Sequence, residues 1–273
     1  MAKNWSARLL FWKVREGIMA VKSQKLLSVI IIAKNEEKMI GDCIDSAKWA
    51  SDILVVDSGS SDKTVQIAKK KGAKVLSALK GTFSDWRNFG FVNSRGEWLL
   101  YIDADERVTP QLKKEIEKVV LKPEYAAYAI PRRNFVFGKE MKHCGFWPDY
   151  VKRLFLRSNF KRWTGELHEE PIFKGELGHL KNPMIHLKHS SIEGMVDKTN
   201  EWSEIEAKLM FEAKHPIMNI PRFLSAMFRE FWLRMIIQKA FLDGTEGVIY
   251  ALYQIYSRLI SYAKLWEMQI AKK

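Results

Sequence analysis

Trp98-Leu99-Leu100-Tyr101-Ile102-Asp103-Ala104-Asp105 is an apolar run that ends abruptly in two acids. A run this continuous reads as a strand buried on both faces, the kind found in a parallel sheet covered by helices. Its carboxyl end is where open α/β sheets bind ligands. Two carboxylates at the mouth of an apolar strand repel each other and are costly to desolvate unless a cation joins them. A divalent ion does so, and its remaining positions can hold a diphosphate. The plainer reading, that the acids cap the next helix, is weakened by Thr109-Pro110, which already supplies an N-cap and a first helical residue.

Working upstream, Leu26–Ala33 and Ile53–Val56 are further buried-strand runs and Lys74–Leu76 is a shorter one. Helical stretches lie between them, one of them from about Ser84 to Ser94, and Ala126–Pro131 follows as a fifth strand. This alternation predicts an α/β fold with a mostly parallel sheet and right-handed crossovers. Asn35 is placed to cap the helix after the first strand, with Glu36 and Glu37 in its first turn. The second strand ends at Asp57, followed by Ser58-Gly59-Ser60-Ser61-Asp62. Small residues there let a nucleotide approach the backbone and the aspartate can accept from a base or ribose, although an ordinary strand-to-helix turn reads as well. No Walker-type Gly-Lys-Ser/Thr occurs in that turn. Arg87 has the planar fork that suits a diphosphate, against the commoner reading of a solvated helix-surface charge.

From Arg132 to Ser191 the pattern is irregular: short strands such as Val151–Leu156 lie among loops rich in Trp, Gly and His, which are expected to face an acceptor. From Ser191 the pattern is helical to the end. The expected organisation is therefore a basic amphipathic segment over 1–25, a catalytic region over 26–190 divided at 131, and a helical region over 191–273.

Composition sets the outer limits. At 273 residues with 47% hydrophobic and 28% charged, the chain can bury a sizeable core, which argues against disorder. Two distant cysteines, Cys43 and Cys144, fit neither a disulfide scaffold nor a zinc site. No apolar window approaches the ~18 residues of a membrane span, and the first residues do not read as a secretory signal. The net charge of +13 is concentrated at the ends: residues 1–27 and 207–273 each contribute +5. Such ends suit a nucleic acid or an anionic bilayer, and no nucleic-acid motif accompanies the charge.

The Ala33-Lys34-Asn35-Glu36-Glu37 turn, Val55-Val56-Asp57-Ser58-Gly59-Ser60-Ser61-Asp62, Arg87-Asn88 and Asp103-Ala104-Asp105 occur in an order that resembles the family 2 glycosyltransferases. The second half is most similar to the bacterial enzymes that add glucose to the inner-core heptose of lipopolysaccharide. Trp147-Pro148-Asp149, Arg153-Leu154-Phe155, Leu167-His168-Glu169 and Ile185-His186 carry that likeness, with Phe241-Leu242-Asp243-Gly244 and Ala263-Lys264-Leu265-Trp266-Glu267. The resemblance implies a nucleotide-diphospho-sugar transferase (GT-A type) fold with a C-terminal helical extension. It implies that Ala33, Asn35 and Glu37 border the nucleotide, Asp57 meets the base, Asp105 is the chief metal ligand, and Asp103 lies near the ribose or metal. The implied donor is a UDP-sugar, used with Mn or Mg.

The family's reaction inverts the anomeric centre and needs a carboxylate base. Asp149 and Glu169 are the candidates. Relatives often place a Glu-Asp pair where this chain has Pro148-Asp149, and Glu169 sits in an otherwise apolar stretch where burial would raise its pKa. His186 is a candidate to complete the metal or diphosphate site; a core histidine satisfied by backbone reads equally well. The implied acceptor is a lipopolysaccharide-core or other lipid-linked glycan, with a polyprenyl phosphate or a non-catalytic binding role as alternatives. Residues 222–239 read as a helix with one apolar and one basic side, as does the N-terminus, and 248–266 as a more apolar helix with a narrow polar stripe. The set suits a peripheral protein on the inner face of the cytoplasmic membrane, against the plainer reading that the helices pack on the catalytic domain or on a second subunit.

Overall fold

The computed structural model describes residues 26–165, 169–189 and 191–271. The basic segment expected over 1–25 lies outside the described residues, as do Leu167 and His168. Strands β1 (Leu27–Ala33), β2 (Asp52–Asp57), β3 (Lys74–Ser77) and β4 (Trp98–Asp103) form a parallel set in the order β3-β2-β1-β4. Side chains on β1 and β4 alternate between two cores. Val29, Ile31, Leu100 and Ile102 pack with helices α1 (Ile40–Ala47) and α4 (Pro110–Leu121), whereas Ile30, Leu99 and Tyr101 pack with Phe155, Phe160 and Trp163 beside α3 (Phe83–Asn93). Both faces are covered, which is why these strands read as unbroken apolar runs. Between β2 and β3 lies α2 (Thr64–Lys70).

Beyond β4 the sheet becomes mixed. Its path continues through β8 (Tyr150–Leu156), β6 (Ala127–Val136), β12 (Met184–His189) and the two-residue β5 (Glu106–Arg107). Strands β7 (Lys139–Met141) and β11 (Leu177–His179) pair with β6, while β9 (Phe160–Thr164) and β10 (Glu170–Phe173) form a separate ribbon. The fifth strand is longer than expected: β6 runs on past Pro131 to Val136 and supplies Arg132 and Asn134 to the site.

The C-terminal part is helical. It comprises α5 (Ile192–Glu212), α6 (Ile220–Phe231) continued by a π-helical segment Trp232–Ile237, a 3-10 turn Ala240–Asp243, and α7 (Gly244–Ile270). Helix starts follow their caps: Thr109 accepts from the Leu112 N–H, Ser191 from Gly194 and Asn219 from Arg222. Helix α3 opens on a reciprocal Thr82–Asp85 box. Asn35 departs from its expected role. Helix α1 starts only at Ile40 with no side-chain cap, and Asn35 adopts a positive φ of 56° instead. Its side-chain oxygen accepts from the Ser61 N–H at 2.8 Å, so it ties the β1 loop to the β2 loop. A short polar side chain tolerates the left-handed region, and the neighbouring loop offers donors that a helix start would otherwise supply.

Helix α3 lies very close to the sheet at Gly90, where an added Cβ would sit 2.4 Å from Ile30 Cγ2 and 3.2 Å from Val56 Cγ2. Both neighbours are fully buried and β-branched, so neither yields easily. Gly90→Ala should therefore lower the unfolding free energy by about 1–3 kcal/mol despite its better helix propensity. Urea denaturation would measure it, and an unchanged or raised midpoint would contradict this close contact.

Candidate active site

Strand register brings the site together. In the parallel set Ala33 pairs with Asp57, and Ile32 with Asp103, so three sequence-predicted residues share one edge of the sheet. Downstream, β12 pairs antiparallel with β5, placing His186 opposite Glu106, and the Leu187 N–H donates to the Asp105 carbonyl at 2.9 Å. The same β12 pairs with β6, placing His186 opposite Asn134. On the other side of β6, β8 places Tyr150 opposite Pro131, and the Arg132 N–H donates to the Asp149 carbonyl. Asp105, His186, Asn134, Arg132 and Asp149 are thereby neighbours despite their distance in sequence.

The two acids of Asp103-Ala104-Asp105 have different surroundings. Arg87 Nη2 donates to Asp103 Oδ1 at 2.9 Å, and Arg153 Nη2 donates to its Oδ2. Burial would raise the Asp103 carboxyl, but the Arg153 and Arg87 charges outweigh it and hold it well below the usual carboxylate range. The expectation that a cation must neutralise both acids therefore fails for Asp103, whose charge two arginines already balance. Asp105 has no arginine. Its Oδ2 faces His186 Nε2 at 3.4 Å. Burial again acts upward, and His186 outweighs it to give a lowered pKa. Nearby Glu36 is pushed up to about 7, first by its own burial and then by the Asp105 charge. The Lys198 charge acts downward on both groups.

His186 has a defined tautomer. The Asn134 amide nitrogen donates to the Phe146 carbonyl at 3.1 Å and to Asp149 Oδ2 at 3.0 Å, so its oxygen is the acceptor facing His186 Nδ1 at 2.6 Å. Nδ1 therefore carries a hydrogen, and Nε2 presents its lone pair, or a second proton, to Asp105. Asp105 and His186 fit a divalent cation: an oxygen and a nitrogen donor face each other across a gap, and among the described residues no arginine pairs with Asp105. Among the described residues no group of three His, Cys, Asp or Glu side chains is arranged to hold a metal alone. The protein would thus give two ligands, and diphosphate oxygens and water the others.

Glu106, 0% exposed and overlooked as a site residue in the sequence, anchors the ion pairs behind the site. It accepts from the Asp103 N–H at 2.9 Å, from Arg153 at 2.8 Å and from Arg132 at 3.2 Å. Arg132 reaches on to Asp149 at 2.8 Å, and Arg87 reaches on to Glu169 at 2.9 Å. Both candidate bases therefore sit at the two ends of one network, Glu169–Arg87–Asp103–Arg153–Glu106–Arg132–Asp149. The apolar setting expected for Glu169 is not what surrounds it, since Arg87 binds its Oε1 through both Nε and Nη2. Arg87 is likewise neither a solvated charge nor wholly open to a diphosphate: it is 3% exposed and only Nη1 lacks a hydrogen-bond partner. Asp149 Oδ2 is taken by Arg132 and Asn134, and its Oδ1 has no hydrogen-bond partner among the described residues.

The loops after β1 and β2 clasp one another. Asp57 accepts from its own Gly59 and Ser60 N–H groups at 3.2–3.3 Å. The Glu37 N–H donates to Asp62 at 3.0 Å, and Glu37 Oε2 accepts from the Lys63 N–H at 3.1 Å. Arg107, on the other side of Glu106, holds the Ala104 and Met39 carbonyls at 2.8 Å and so fixes the turn that carries Asp105.

Removing Glu106 would leave Arg153 and Arg132 short of a buried partner. Glu106→Ala should cost about 3–5 kcal/mol in urea unfolding, and a cost under about 1 kcal/mol would contradict the central place given to this acid. Asp103 adds a pH signature. Its folded pKa lies below its unfolded value, so its contribution is complete above about pH 4 and is lost as acid protonates it. Asp103→Asn should be less stable than the parent at neutral pH, with a deficit that shrinks toward about pH 2 in the same assay; a deficit independent of pH would contradict the ionic origin.

The sequence profile described as Glycosyl transferase family 2 matches residues 28–175. An uncharacterized glycosyltransferase of Rickettsia typhi is 29% identical over 263 residues, covering 91% of this chain and 89% of its own. A lipopolysaccharide core biosynthesis glycosyltransferase, LpsC, of Rhizobium meliloti is 24% identical over 262 residues, covering 85% and 92%. Among solved structures, glucosyl-3-phosphoglycerate synthase from Mycobacterium tuberculosis with Mn2+, UDP and glucosyl-3-phosphoglycerate is 21% identical, with a TM-score of 0.38 over 51% of this chain and 59% of that one. S. aureus TarS gives 15% and 0.44 over 86% and 49%. The architecture is the GT-A type: a mixed α/β sheet between helices, followed by a helical extension. With more than half of its length matched by the profile, the chain belongs to glycosyl transferase family 2.

Proposed function

We propose that this glycosyltransferase moves a hexose, glucose by the resemblance, from a UDP-sugar to a lipopolysaccharide-core or other lipid-linked glycan, with inversion and with Mn or Mg. Its workplace is the inner face of the cytoplasmic membrane. The observation that carries the reading is the Asp105–His186 pair, with the histidine tautomer set by Asn134. When bound there, a divalent cation supplies the positive charge that stabilises a leaving nucleoside diphosphate. The relatives give context: one is named for lipopolysaccharide core biosynthesis, and a neighbouring fold was crystallised with Mn2+ and UDP.

On the donor side, the strand-end group Ala33 and Asp57, with Asn35 and Glu37 in the clasped loops, borders the nucleotide. Asp103 lies behind the sugar–diphosphate region, where the two arginines hold it in place. Arg87 Nη1, buried and without a partner, is left to meet a donor oxygen.

On the acceptor side, Asp149 is the favoured base. Arg132 and Asn134 hold one of its oxygens, so the carboxylate is oriented while Oδ1 is left to accept the acceptor hydroxyl proton. As that proton moves to Asp149, the acceptor oxygen forms its bond to the anomeric carbon. The bond from that carbon to the diphosphate oxygen breaks on the opposite side, and the nucleoside diphosphate leaves with the electron pair. Glu169, at the other end of the network, orients Arg87 and is the second candidate.

Titration calorimetry with UDP and Mn2+ separates these roles. Asp105→Ala and His186→Ala should each weaken the Mn2+-dependent binding of UDP about 100-fold. Asp149→Asn should leave UDP affinity unchanged while lowering kcat by about 10²–10⁴. Full Mn2+-dependent affinity in Asp105→Ala would remove the basis of the reading, and a larger kcat loss in Glu169→Gln than in Asp149→Asn would exchange the two acids.

A further inference from the structure

The C-terminal helices do not bury themselves equally. Helix α7, expected from its sequence to lie on a bilayer, places Tyr250, Ala251, Ser261 and Leu265 in the interior and packs along α5. It is a structural strut. Helix α6 does the opposite: of its residues only Ala226 is buried. Ile220, Leu224 and Phe228 are 74%, 66% and 62% exposed, and they recur every four residues along one side. The π-helical segment and 3-10 turn extend this surface with Trp232, Ile237 and Leu242, all exposed. Beside Ile220 opens an apolar groove of about 640 Å³, formed by residues 218–221, Phe223 and Trp266.

Its unpaired charges have one sign. Between residues 213 and 243 the acids are Glu230 and Asp243. Glu230 pairs with Arg234 at 2.7 Å, and Asp243 accepts from the Lys142 and His143 N–H groups and faces the His143 ring. Lys214, Arg222, Arg229 and Lys239 are exposed and have no ion pair among the described residues. An apolar ledge with unpaired cations matches a surface of apolar tails and anionic headgroups. In a two-fold pairing of this patch with itself, like charges would meet.

The ledge is also fixed to the site. The Gln238 carbonyl accepts from the Cys144 N–H at 2.9 Å, and Arg234 donates to the Cys144 carbonyl at 3.3 Å. Two residues on, the Phe146 carbonyl accepts from Asn134, the residue that orients His186. Whatever surface the ledge rests on therefore lies beside the acceptor-side wall.

We propose that the exposed surface from Ile217 to Leu242 is the lipid-docking face of this enzyme, fitted to an anionic phospholipid bilayer, and that it sets the acceptor side of the site against that bilayer. The assignment rests on the membrane reading above and names the surface that performs it.

Flotation of the full chain with vesicles of phosphatidylcholine alone, or of equal parts phosphatidylcholine and phosphatidylglycerol, tests it. The parent should float with the anionic vesicles. Leu224→Glu/Phe228→Glu should reduce the bound fraction about tenfold or more, and Arg222→Glu/Arg229→Glu should remove the preference for anionic lipid. Leu252→Glu/Tyr256→Glu, on the exposed side of α7, should float like the parent. Near-ultraviolet circular dichroism and Mn2+-dependent hydrolysis of UDP-glucose report whether each variant is folded, and the arginine pair, being fully on the surface, keeps the test usable should the apolar pair misfold. If the parent floats and both α6 variants float equally well, this surface is wrong while the membrane reading stands. If the parent does not float at all, the membrane reading fails and this assignment with it. A dimer in light scattering that Leu224→Glu/Phe228→Glu dissociates would give the ledge to a second copy and overturn the proposal.

Discussion

Arg153 reaches Asp103 and Glu106 at once from β8, and the rest of the site depends on that buried contact. Parallel strands that end in acids pose an electrostatic problem, because each carboxylate loses water without gaining a partner from its own strand. Here the partners come from the antiparallel half of the sheet and from α3. Arg153 and Arg87 cancel Asp103, while Arg153 and Arg132 cancel Glu106. Asp105, one residue away, is left outside this arrangement and faces a histidine. The arginines therefore determine which acid has charge to share with a ligand.

The same contacts join the two halves of the catalytic region. Asp57 and Asp103 end strands of the parallel set, whereas Asp149 lies just before β8 and His186 lies in β12, both arriving later in the chain. Glu106 bridges them through Arg132, and Asn134 bridges His186 to Asp149. Such networks are costly to break and hold their members in one arrangement when every partner is present.

Charge and hydrophobicity divide the C-terminal part in a comparable way. Helix α7 spends its apolar residues on α5, and α6 keeps its own exposed. Because the segment after α6 is bonded to the loop before Asp149, the orientation of that surface and the orientation of the Asp149 loop are one property of the structure.

Much of this architecture is readable in the chain alone. Continuous apolar runs at 27–33 and 98–102, the Thr109-Pro110 start and the strand-end acids depend on local pattern and burial, which one segment encodes by itself. The order of the motifs was enough to indicate the family. Glu106 was missed although it follows Asp105 directly, because nothing in a lone glutamate says that it is fully buried. What required the tertiary structure was pairing. Whether Arg87 faced solvent, a diphosphate or two protein acids, whether Asp103 awaited a cation, and whether Asn35 capped a helix or a neighbouring loop all depended on residues tens of positions away. Strand register settled those partners, together with the tautomer of His186, and a register between distant strands is set only when the whole sheet closes.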